Sequence, residues 1–146
     1  IQPIMTNRCV IHLSGERVKK RAEHWQQIIY SACEQCGRNK IPELMTLISY
    51  SDWLNQYKSN QNDQPTTSSA KLMFTPTAHA KLSALQPNSK DFIVVLVGPE
   101  GGLTPSEEKL AIATGFIATR LGQRTLRTES AGLAALASIQ ALWGDY

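Results

Sequence analysis

The run Asp91-Phe-Ile-Val-Val-Leu-Val97 constrains this chain most. Beyond its first residue it is wholly apolar, so both faces of the strand it forms call for cover. That is the condition of a strand in a parallel sheet with helices on either side. The run ends in the glycine-rich turn Gly98-Pro-Glu-Gly-Gly102, and Thr104-Pro-Ser-Glu107 then has the form of a capping box with proline at the first helical position. A strand, a glycine loop and a helix in succession belong to an α/β fold.

The rest of the chain extends that alternation. Met5–Leu13 reads as a strand and Gly15–Cys36 as a helix, with an apolar stripe through Val18, Ala22, Trp25, Ile28/Ile29, Ala32/Cys33 and Cys36. Gly37 stands where a helix C-terminal glycine belongs. Leu44–Ser49 reads as a short strand, Ser51–Tyr57 as a short helix opened by Ser51, and Lys58–Ser69 as a polar, mobile connection. A strand over Leu72–Thr75 and a helix over Thr77–Leu85 follow. The helix capped by Thr104 runs to about Thr114, where Gly115 ends it; Phe116–Leu121 is a further strand and Thr128–Trp143 a final helix rich in Ala and Leu. The expected architecture is a mostly parallel sheet flanked by helices.

At 146 residues, with 42% apolar and 18% charged residues, the chain has the makings of one globular domain with its own core. No apolar stretch approaches the roughly 20 residues that span a bilayer, and Ile1–Met5 lacks the pattern of a signal peptide. A net charge of +3 tolerates RNA or nucleotides without demanding them. Arg17, Lys19, Lys20 and Arg21 carry the wrong sign for a helix N-terminus, which fits a solvated face or an RNA-facing patch. The three cysteines argue against a disulfide framework. Cys9 and His12, with Cys33 and Cys36, nominally offer four zinc ligands. Residues three apart on a strand face opposite ways, however, and helical cysteines are commonly just buried, so no metal is expected.

Two loops carry the chemistry. Ligands of open α/β sheets bind at the carboxyl ends of the strands, where both loops fall. In Gly98–Gly102 the glycines let main-chain groups approach a ligand directly; neither a Walker loop nor a dinucleotide fingerprint is present, and Glu100 favours a cationic or hydroxyl-bearing ligand. The second loop, Leu121-Gly-Gln-Arg-Thr-Leu-Arg-Thr-Glu129, crowds Arg124 and Arg127 into a turn. Thr128 suits a helix cap and Glu129 the helix dipole, which leaves both guanidinium groups to be explained by a ligand with phosphate or carbonyl-like oxygens.

The strings LGQRTLRTESA (121–131), VGPEGGLTPSEE (97–108) and ACEQCGRNKIPEL (32–44) resemble the RsmE-type RNA methyltransferases of the SPOUT superfamily. The resemblance covers nearly the whole chain and is weakest over 51–70. It implies an α/β sheet closed by a deep C-terminal trefoil knot, S-adenosylmethionine as methyl donor, a small-subunit ribosomal RNA as substrate with N3 of a uridine as acceptor, a cytoplasmic location and a homodimer. Carried over by position, Leu96, Val97, Gly98, Glu100 and Gly101 would line one side of the cofactor, and Leu121, Gly122, Arg124, Leu126 and Arg127 the other. Uridine N3 must lose a proton, and the negative charge that develops on the base oxygens suits an arginine. Arg127 or Arg38 would take that part, with Glu129 orienting an arginine or helping to remove the proton. Gln35 and Arg38, together with Arg124, would face the RNA. The family's N-terminal barrel-like RNA-binding domain, and the first strand and helix of its catalytic domain, have no counterpart in residues 1–146, so the expectation is a catalytic domain alone. Ribose 2′-O-methylation by the same fold and a non-catalytic RNA-binding module are the alternatives.

Overall fold

A computed structural model of the chain describes residues 1–9, 15–59, 70–86 and 92–144. In chain order these form β1 (Ile4–Met5), α1 (Glu16–Cys36), β2 (Ile48–Ser49), α2 (Tyr50–Ser59), β3 (Ala70–Phe74), β4 (Ala80–Lys81), a 3₁₀ turn (Leu82–Ala84), β5 (Ile93–Val97), α3 (Pro105–Ala113), β6 (Ile117–Arg120) and α4 (Thr128–Trp143). The main sheet has the order β4-β6-β3-β5, and β1 pairs separately with β2. Every one of these pairings is parallel.

Alternation along the strands divides the core in two. Met73 and Leu96 face one side and pack with Tyr50 and Leu54 of α2, Ala111 of α3, Leu103 and Phe116. Leu72 faces the other side and packs with Leu82 and with Ile139 of α4, flanked by Phe74, Ile93, Val95 and Trp143. The sheet is thus a middle layer, with α2 and α3 below it and α4 above.

Local signals placed several elements correctly. The side chain of Thr104 accepts the amide of Glu107, and the Glu107 carboxylate accepts the amide of Thr104, closing the capping box. Gly37 takes the left-handed conformation at φ 71°, and the amide of Arg38 reaches back to the carbonyl of Cys33. α4 has the bounds read from the sequence.

Four expectations are corrected. The first strand covers only Ile4–Met5; Thr6–Cys9 is a turn closed by the Cys9 amide on the Thr6 carbonyl, and residues 10–14, His12 among them, lie outside the described residues. α2 begins earlier than Ser51, because Ser49 Oγ, not Ser51, accepts the amide of Asp52. The helix expected over Thr77–Leu85 is a short strand and one 3₁₀ turn: Ala80 and Lys81 pair with Thr119 and Arg120, and this pairing outweighs the helix preference of Ala and Leu. β5 holds an outer place among the described strands and is mostly half-buried, while β3, with Leu72 and Met73 1% and 0% exposed, lies inside the sheet next to β6. The connection over 60–69 lies outside the described residues.

Candidate active site

The carboxyl ends of β3, β5 and β6 point the same way because the strands are parallel. The loops leaving them enclose a cavity of about 790 Å³, within the size range of small-molecule sites.

The first wall is the loop after β5. The amide of Gly102 donates to the carbonyl of Pro99 over 2.8 Å, folding the loop into a tight turn. A Cβ at Gly98 would lie 3.1 Å from the Leu103 amide nitrogen and 3.2 Å from Leu103 Cγ, so a side chain there would press on Leu103. Val97, Gly98, Glu100 and Gly101 line the cavity. Leu96 does not; its side chain is 3% exposed and belongs to the core.

The second wall is the loop after β6. Leu121, Gly122, Arg124, Leu126, Arg127 and Glu129 all line the cavity. Arg127 is itself the residue before α4, in extended conformation, and its carbonyl accepts the amides of Ser130 and Ala131. Thr128 is therefore the first helical residue and does not cap the helix. No side chain caps α4, and the Arg127 side chain is 87% exposed, with Nη1 4.0 Å from Glu129 Oε1. Glu129 in the first helical turn is favoured by the helix dipole.

A third wall was missed in the sequence. Thr75, Pro76 and Thr77 leave β3, and Thr75 Oγ1 donates to Glu108 Oε1 at 2.9 Å and lies 3.0 Å from Thr77 Oγ1. The signal was available, since a Thr-Pro-Thr turn lies between the strand expected to end at Thr75 and the helix expected to begin at Thr77. Arg120 also lines the cavity; its Nε is buried without a hydrogen-bond partner among the described residues. Arg8 lines it from the turn after β1.

The remaining residues singled out in the sequence lie elsewhere. Gln35 and Arg38 are exposed at the carboxyl end of α1, and neither lines the cavity; Arg38 Nε donates to the carbonyl of Lys40 at 2.9 Å. Cys33 is buried and Cys36 exposed, its Sγ 3.7 Å from the Cys33 carbonyl oxygen.

Glu107 ties the first wall to the rest of the fold. The residue is 4% exposed. Burial alone would raise its pKa, but amides of Thr104 and Asn7, the Thr104 hydroxyl and the Arg8 charge more than reverse this, and the pKa is lowered. Tyr50 donates its hydroxyl to the Glu107 carbonyl at 2.8 Å; burial, then the charges of Glu107 and Glu108, push the phenol up to about 12.

Residues 1–140 match the profile of the RNA methyltransferase domain. The chain belongs to that family. It is 33% identical over 145 residues to ribosomal RNA small subunit methyltransferase E of Buchnera aphidicola subsp. Schizaphis graminum, covering 99% of this chain and 55% of that protein. The Synechocystis protein of the same name is 34% identical over 143 residues, 97% of this chain and 44% of its own length. Among solved structures, a ribosomal RNA small subunit methyltransferase E from Neisseria gonorrhoeae bound to S-adenosylmethionine matches with a TM-score of 0.82 and 43% identity, over 97% of this chain and 55% of that one. A methyltransferase from Legionella pneumophila, in complex with the same cofactor, matches at 0.84 and 32%, over 99% and 56%. The chain thus spans about half the length of the relatives it matches.

Proposed function

We propose that residues 1–146 are the catalytic domain of an S-adenosylmethionine-dependent RNA methyltransferase that modifies N3 of a uridine in small-subunit ribosomal RNA. One observation carries this reading: the loops 97–103 and 121–129, from separate strands, meet as two walls of one cavity, in a fold matching two methyltransferases that hold S-adenosylmethionine. The residues present suit such a ligand. Gly98 meets the cavity with main chain alone, the exposed Leu126 offers an apolar surface, and Glu100 supplies a negative charge for a sulfonium cation. The buried Arg120 Nε, without a partner among the described residues, is a donor that a ligand oxygen could satisfy. Val97, Gly98, Glu100, Gly101, Leu121, Gly122, Arg124 and Leu126 are the proposed cofactor wall, with Leu96 contributing main chain only. When bound, the cofactor supplies an electrophilic methyl group for in-line displacement.

The chain's own part is to position and to stabilise charge. Arg127, held at the mouth of α4 beside Glu129, is the proposed donor to the base oxygen that gains negative charge as N3 loses its proton. Glu129 orients that guanidinium or accepts the proton. Arg124 meets RNA at the cavity rim, and Arg38 with Gln35 forms a second RNA-facing group at the end of α1. The trefoil knot at loops 97–103 and 121–129 is proposed on the family resemblance, as is the cytoplasmic location; among the described residues no helix is long and apolar enough to cross a membrane. A homodimer is supported by α4, which leaves Leu133, Leu136 and Leu142 exposed.

The test is a calorimetric titration of S-adenosylmethionine, with a Gly98→Val/Leu126→Glu variant as control, followed by nucleoside analysis of methylated ribosomal RNA. Binding near one site per chain that the variant loses, and 3-methyluridine as product, are expected. A folded protein with no cofactor affinity, or a ribose-methylated product, would overturn the reading.

A further inference from the structure

Arg8 lies 93 residues before Gly101 in the chain, yet its Nη1 donates to the Gly101 carbonyl at 2.9 Å and to the Leu103 carbonyl at 3.4 Å. The approach is close: a Cβ added at Gly101 would lie 3.2 Å from Arg8 Cβ and 3.5 Å from Arg8 Cδ. The neighbouring Asn7 amide donates to Glu107 Oε1 at 2.9 Å, which docks the whole turn on the start of α3. Thr6, at the base of the turn, is 4% exposed, while Arg8 itself is exposed. A solvent-facing arginine that spends its donors on two carbonyls of a glycine loop contributes little to burying a core. What it does is restrict the loop.

We propose that Arg8 is a positioning residue of the cofactor site: it clamps the Gly101 and Leu103 carbonyls and so holds loop 98–103 in the shape that receives the methyl donor. The inference rests on the proposed function. Main-chain groups bind a ligand well only when their directions are set beforehand, since ordering a loop on binding subtracts from affinity. The glycines that allow close approach also make this loop flexible, and Arg8 offsets that freedom from outside the loop. Glu100 contacts the same space from within the loop, so the clamp also fixes where its charge stands.

The experiment compares the wild-type protein with Arg8→Ala and Arg8→Lys. Calorimetry reads S-adenosylmethionine affinity, hydrogen–deuterium exchange of the unliganded protein reads loop 98–103 against β3, and thermal melting reads the fold. Loss of one or two charge-assisted hydrogen bonds predicts affinity about tenfold weaker in Arg8→Ala. Exchange in the loop is faster, β3 and the melting temperature are little changed, and Arg8→Lys recovers part of the affinity because it keeps a cationic donor. Added methylguanidinium restores binding to Arg8→Ala. Unchanged cofactor affinity in a folded Arg8→Ala overturns the inference, also if RNA affinity alone falls, because Arg8 would then be an RNA contact. Equal loss in Ala and Lys variants with a lowered melting temperature also overturns it, since that is a purely structural role. Absence of affinity in the wild type overturns the proposed function itself, a result separate from any effect of Arg8.

Discussion

Replacing Glu107 tests the joint between the glycine loop and the fold. Its two carboxylate oxygens accept the amides of Asn7 and Thr104 at 2.9 and 2.8 Å, and the Thr104 hydroxyl at 2.9 Å. Glu107→Ala leaves both amides without their acceptor in a partly buried place, while the bond from the Glu107 amide to Thr104 Oγ1 survives. Bonds to a charged group are each worth about 1.5–3 kcal/mol, and an alanine needs less ordering than a glutamate. The net cost is about 3 kcal/mol, or a melting temperature lower by about 6–12 °C for a chain of this size. Glu107→Gln keeps the shape and one accepting oxygen, and costs about 1–2 kcal/mol. The acid limb provides a second reading. Because the folded-state pKa is lowered, the unfolded chain takes up the proton first as pH falls. Stability from this group is therefore complete above its ordinary value and lost as pH falls through the folded one. Urea titrations across that window show the limb in wild type and its reduction in Glu107→Gln. An alanine variant within about 1 kcal/mol of wild type, or a glutamine variant with the same acid limb, would refute the reasoning.

Three further outcomes are expected. Arg127→Ala leaves the melting temperature within about 2 °C, because its ion pair with Glu129 is exposed, and lowers methyl transfer by about a hundredfold or more at saturating cofactor; single-turnover assays on ribosomal RNA would show it, and full activity would remove Arg127 from the mechanism. Tyr50 holds its proton to about pH 12 when folded, so stability is intact below the unfolded value of 10.0 and falls as pH rises between the two; Tyr50→Phe loses this alkaline limb and about 1 kcal/mol, measurable by denaturation at pH 8 to 12. Leu133→Lys, at a position 73% exposed on α4, weakens the proposed dimer by about thirtyfold or more without unfolding the chain; sedimentation equilibrium decides, and an unchanged mass distribution counts against α4 as the interface.

Short-range chemistry was readable in the residues themselves. The capping box of Thr104 and Glu107, the left-handed Gly37 and the bounds of α4 depend on groups within about one helical turn, so the signal and its cause occupy the same few positions. The apolar run ending at Val97 correctly pointed to a parallel sheet, and the loops 97–103 and 121–129 line one cavity, as their strand-end places suggest. Which strands lie inside the sheet was another matter. β3 reads Ala-Lys-Leu-Met-Phe, a weaker pattern than β5, yet it carries partners on both edges. The Ala80–Lys81 strand exists only because β6 lies beside it, and the cap of α2 is Ser49 because β2 ends there.

The same limit applies to the site. Glycines and arginines at strand ends marked two walls, because main-chain approach and fixed cationic forks call for those residue types wherever they stand. The third wall, Thr75 to Thr77 with Glu108, joins residues 33 positions apart, and Arg8 reaches its loop across 93. Such contacts leave no local trace, since a threonine in a turn and an arginine after a strand fit ordinary surface as well. Residue types and spacing determined α1, α3 and α4, with the glycine that ends α1 and the box that opens α3, and the two loops that line the cavity. Only the tertiary structure decided strand order, the third wall and the hold of Arg8 on the glycine loop, because each arises from contacts between segments whose separation local propensity cannot bridge.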